Sequence, residues 1–73
     1  MTIDEAAEKL QNRLEVFPWL TAVAVGEEDN TGVIYVYLKT AVKDRVLDEL
    51  RRDGWMGYRV LIETVGTVRP IKV

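Results

Sequence analysis

The sequence predicts an α+β fold: a two-layer sandwich of order α-β-β-α-β(-β), with two helices on one face of a three- or four-stranded mixed sheet. Three observations carry that expectation. Apolar residues recur at helical spacing in two separate segments, short valine-rich runs follow each of them, and Pro18, Gly26, Gly32, Gly54 and Gly66 fall at or near the junctions. The 73 residues read as a single domain over 1–73.

The first helix is expected over residues 3–16. Thr2-Ile3-Asp4-Glu5 has capping-box spacing, and Asp4 and Glu5 suit the positive end of a helix dipole. Ile3, Ala6, Ala7, Leu10 and Leu14 form the apolar stripe, extended by Phe17, and Pro18 stops the run. Leu20 to Val25 is apolar on both alternating faces, which predicts an internal strand covered on both sides and ended by Gly26. Residues 27–32 supply a polar hairpin turn. Val33 to Leu38 is the clearest strand: Ile34, Val36 and Leu38 on the helix side, Val33, Tyr35 and Tyr37 on the other.

Thr40 is the expected N-cap of the second helix, which buries Val42, Val46, Leu47 and Leu50. Arg51 and Arg52 complement its negative end, and Gly54 is placed to close it in a left-handed conformation. A third strand is expected over Tyr58 to Glu63 and a fourth over Val68 to Val73, where Pro70 allows only an edge position. A shift of 36 residues lays Leu10 on Val46, Leu14 on Leu50 and Trp19 on Trp55, the pattern that a duplicated unit or two similar amphipathic helices would leave.

Composition excludes several kinds of chemistry. There is no cysteine and no histidine, so disulfides, thiolate metal sites and imidazole ligands are absent from the sequence. Serine is missing as well, which leaves no Ser-His or Cys-His pair to build. Glu27, Glu28 and Asp29 lie on a turn without the alternating spacing of a calcium loop, and adjacent acids cannot face one another across a glycosidase-type cleft. No catalytic residue, metal site or cofactor is therefore expected, and the chain reads as non-enzymatic.

A net charge of −2 gives no general attraction to nucleic acid or anionic lipid. The halves differ. Residues 1–36 carry two basic side chains against seven acidic, and residues 37–73 carry eight against five. The opening Met1-Thr2-Ile3-Asp4-Glu5 has no basic region before an apolar run, and no stretch approaches a membrane span, so cytoplasm is the default compartment.

Two surfaces are candidates. If Ile34, Val36 and Leu38 face the helices, then Val33, Tyr35 and Tyr37 lie on a sheet face that the helices do not cover, and uncovered apolar faces mark association. A homodimer, or contact with another protein, is the expectation there. The alternative is ligand or single-stranded nucleic-acid binding at Gly54-Trp55-Met56-Gly57, a G-x-x-G pattern flanked by Arg51, Arg52 and Arg59. Its central residues are large and apolar rather than basic. A purely structural role, with Trp19 and Trp55 plugging the ends of a small core, is the competing reading of the tryptophans.

Val23-Ala24-Val25-Gly26, the strand from Val33 to Lys39, and Val60-Leu61-Ile62-Glu63-Thr64-Val65-Gly66 followed by Val68-Arg69-Pro70 occur in that order. In this the chain resembles small uncharacterised bacterial modules, some of which precede trypsin-like protease domains. It departs from them in its charged middle helix. The resemblance implies a non-catalytic module, and no catalytic residue carries over.

Overall fold

The computed structural model describes residues 2–65. The order is α1 (Ile3–Leu14), β1 (Leu20–Glu28), β2 (Thr31–Leu38), α2 (Arg45–Asp53) and β3 (Arg59–Thr64), the expected α+β arrangement. The three strands form one mixed sheet in the order β1-β2-β3. β2 is central, antiparallel to β1 and parallel to β3. The fourth strand expected from Val68 lies outside the described residues.

Thr2 caps helix α1 as expected. Its hydroxyl accepts from the Glu5 amide at 3.2 Å and donates to the Glu5 carboxylate at 3.2 Å, where a full capping box would bring that carboxylate to the Thr2 amide. The helix ends at Leu14, two residues earlier than the periodicity suggested, and Val16 points to solvent at 76% exposure. Phe17 is not a further turn of the stripe. It stacks on Trp19, with ring centroids 4.7 Å apart, and the pair closes one end of the core.

Ala6, Ala7, Leu10 and Leu14 of α1 meet Ile34, Val36 and Leu38 of β2, while Leu47 and Leu50 of α2 pack with Val60 of β3 in the same cluster. Both helices therefore occupy one face of the sheet. Each fully buried leucine or isoleucine contributes about 1.5–3 kcal/mol relative to exposure, so these few residues set the stability of the domain.

Strands β2 and β3 also run over Thr31–Leu38 and Arg59–Thr64 rather than 33–38 and 58–63, and three larger departures have local reasons. β1 runs through Gly26 to Glu28, because the reversal is a two-residue turn at Asp29-Asn30. Both turn residues have positive φ, 50° and 64°, as a tight hairpin that follows the strand twist demands. Second, β1 is not flanked on both sides among the described residues: its one partner there is β2, which makes it an edge strand of the described sheet. Third, α2 is capped by Asp44 rather than Thr40. The Asp44 carboxylate accepts from the Val46 amide at 2.9 Å, whereas the Thr40 hydroxyl donates to the carbonyl of Ala41. Val42 lies before the helix yet still packs on the core.

Asp44→Ala is expected to cost about 1 kcal/mol, the usual worth of such a cap. Thr40→Ala should be close to neutral. Urea denaturation followed by circular dichroism separates the two.

Candidate functional site

The side chains opposite the helices follow from the register. Odd-numbered residues of β2 share that face with their cross-strand partners: Tyr35 with Ala24 and Leu61, Tyr37 with Ala22 and Glu63, Val33 with Gly26 and Arg59. The strand β1 therefore presents only small residues, Ala22, Ala24 and Gly26, beside the two tyrosines. That spacing makes room for rings that lie along the sheet. A Cβ on Gly26 would sit 2.3 Å from Cε2 of Tyr35, so the ring of Tyr35 rests on the glycine. The two tyrosine rings are nearly parallel, 11° apart with centroids 6.0 Å apart.

Partial burial, then the charge and hydrogen-bonding capacity of Glu28, raise the Tyr35 hydroxyl above the ordinary tyrosine value. It stays protonated, and able to donate, across the physiological range. Of the three residues expected on this face, Tyr35 and Tyr37 are half-buried and offer ring surface, whereas Val33 is fully buried and offers none. Leu61, half-buried on β3, extends the patch. Sequence reasoning missed Leu61 and the alanine-glycine floor, although the alternation Ala22-x-Ala24-x-Gly26 was present to be read.

The second candidate divides. Arg51, Arg52 and Arg59 do come together, around a shallow cleft of about 270 Å³ that also includes Gly57 and Tyr58. Trp55 does not join them. It is half-buried against the core, and its indole Nε1 donates to the carbonyl of Ala6 at 2.8 Å, tying the α2–β3 connection to α1. The G-x-x-G segment is a tight reversal, not an open clamp. Trp55 and Tyr58 exchange both backbone hydrogen bonds at 2.9 Å, and Met56 and Gly57 between them have positive φ of 50° and 86°.

The electrostatics of the cleft are also weak for an anion. Arg51 reaches Asp48 at 3.2 Å, and Arg52 makes a two-pronged contact with Asp53 at 3.3 and 3.4 Å. The bond to Asp53 and its charge hold the Arg52 guanidinium further above its ordinary value. Two of the three arginine charges are thus met on the same helix end, where the carbonyl dipoles add negative potential.

Among the described residues, no three His, Cys, Asp or Glu side chains are grouped to hold a metal ion, and no helix is long and apolar enough to cross a membrane. The geometry defines a class: a small α+β sandwich whose distinctive surfaces, among the described residues, are a tyrosine-bearing sheet face and the outer edge of β1. Comparison with protein-family models finds no match, and neither do comparisons with curated proteins and solved structures.

Proposed function

We propose that the chain is a non-enzymatic interaction module that associates with a second copy of itself through the face carrying Tyr35 and Tyr37. The observation that supports this reading is the segregation of layers. Both helices pack on the Ile34, Val36 and Leu38 side, while two stacked tyrosines and Leu61 occupy the other. Tyrosine suits such a role because it offers large rigid area and a polar tip.

A second copy is the natural occupant because the face is complementary to itself. Arg59 and Glu63 stand four residues apart on the same face of β3, so a two-fold axis between them sets each arginine against the other copy's glutamate. Sheets packed in this way lie about 10 Å apart, a gap that flat tyrosine rings from both sides fill.

Light scattering after size exclusion tests it. The wild type is expected to be dimeric at micromolar concentration, and Tyr35→Glu or Tyr37→Glu monomeric with an unchanged far-ultraviolet spectrum. Gly26→Ala displaces the Tyr35 ring without touching the helix-side core, and should weaken the dimer in the same assay. A wild type that stays monomeric at high micromolar concentration would overturn the reading.

A further inference from the structure

The second surface is the outer edge of β1. The two-residue turn makes Glu28 and Thr31 the closing pair, which exchanges both hydrogen bonds. By antiparallel alternation Gly26, Ala24 and Ala22 then turn their backbone groups toward β2, and Val23, Val25 and Glu27 turn theirs outward. Natural edge strands are blunted by lysine, proline, bulges or brevity. β1 has nine residues, an irregularity near Thr21 and charges at its last two positions, but its middle from Ala22 to Gly26 carries no such device.

A groove runs along this stretch. It has a volume of about 460 Å³, with β1 from Val23 to Val25 on one side and α1 on the other, where Asp4, Glu8 and Asn12 line the wall. A strand laid into it would bond to the outward groups of Val23 and Val25. Every second side chain would point at the helix wall, and the alternate ones would continue the face of Ala22 and Ala24.

We propose that this edge and groove dock an extended basic segment of another protein, added to the sheet beside β1. Charge selects the occupant. The groove lining holds two acidic side chains, Asp4 and Glu8, and no basic one, within a half of the chain (residues 1–36) that carries seven acidic side chains against two basic. A second copy joined edge to edge would bring the Asp4 and Glu8 rows of both chains together, and like charges so placed repel. A peptide with lysine or arginine at alternate positions meets them instead. This surface is separate from the tyrosine face, since face-to-face packing leaves strand edges open.

The test is fluorescence anisotropy with a labelled, acetylated peptide Val-Lys-Thr-Arg-Val-Lys-Thr and its counterpart with glutamate at each basic position. The full chain is expected to bind the basic peptide saturably, more weakly as salt rises from about 50 to about 300 mM, and to ignore the acidic one. Val25→Pro removes an outward amide that β2 does not use, so the sheet should persist while affinity falls by about tenfold or more. Glu8→Lys, at an exposed helix position, should weaken binding by about threefold or more without touching the sheet, so the test survives if the proline variant fails to fold. Equal affinity for both peptides, no saturable binding, or wild-type affinity in both variants overturns the proposal. So does concentration-dependent protection of the Val23 and Val25 amides in the free chain, which would assign the edge to a second copy.

Discussion

Replacing Trp55 by alanine is expected to remove a large share of the stability of the domain, about 3 kcal/mol. The side chain packs on the core, and its indole donates at 2.8 Å to the carbonyl of Ala6, a residue 49 positions away on α1. Truncating a buried tryptophan costs about 3–5 kcal/mol, and the half-buried state of Trp55 places the loss near the lower end. For a chain of this length the whole stability is about 4–11 kcal/mol. A loss of about 3 kcal/mol lowers the melting temperature by roughly 12–24 °C. Trp55→Phe keeps most of the apolar area but not the N–H, and the Ala6 carbonyl retains its place in the helix ladder, so that variant should lose only about 1 kcal/mol. Thermal and urea unfolding measure both. An alanine variant within about 0.5 kcal/mol of wild type, the range of an ordinary surface substitution, would mean that Trp55 does not hold the layers together. A severe loss, with no effect of Trp55→Phe on any ligand titration, assigns the residue to the core rather than to recognition.

The sequence admits a core role for Trp55 beside a binding one, and the choice between them shows where it stops being legible. Helix α1 and strand β2 could be read because their instructions are local: a stripe at i, i+3, i+4 with a threonine cap, and strict alternation about Val36. The inward turn of Trp55 depends on a carbonyl 49 residues away, and nothing beside the tryptophan announces it. The same limit explains β1. Leu20 to Val25 looks apolar on both faces, which suggested an internal strand, yet alanines serve as well for a floor beneath tyrosine rings as for a buried layer. Gly26 looked like a terminator, and its actual reason for lacking a side chain lies across the ladder in the ring of Tyr35. For α2 the sequence pointed to Thr40 as the cap, and the structure uses Asp44 instead. The chain between them is not helical, Asp44 itself is extended, and its carboxylate is the one positioned to meet the Val46 amide. The candidate site was visible only as far as its tyrosines. Strand order, which puts β1 at the edge of the sheet among the described residues, is a property of pairing and not of any one segment.

Gly54→Ala is the other substitution expected to be severe, for reasons of backbone and not of packing. Gly54 ends α2, and its amide donates to the carbonyl of Leu50 at 2.9 Å. Its φ of 74° with ψ of −161° is not the left-handed helical cap expected from its position but an extended conformation of positive φ that is essentially reserved for glycine. A residue with a side chain pays about 1–3 kcal/mol to remain there. The new Cβ would also fall 2.4 Å from the carbonyl oxygen of Tyr58, and that oxygen cannot retreat freely because it accepts from the Trp55 amide at 2.9 Å. Relief therefore opens the Trp55–Tyr58 reversal and withdraws the indole from Ala6, so the loss should reach about 3 kcal/mol or more, the scale of the tryptophan truncation itself. Gly57 supplies the control. It also has positive φ, 86°, but a Cβ there meets nothing within 4 Å, so Gly57→Ala should show only conformational strain of about 1–2 kcal/mol. Chemical denaturation of the two variants side by side decides the matter. Equal losses would mean that the close approach to Tyr58 contributes nothing, and that the reversal is held by backbone preference alone.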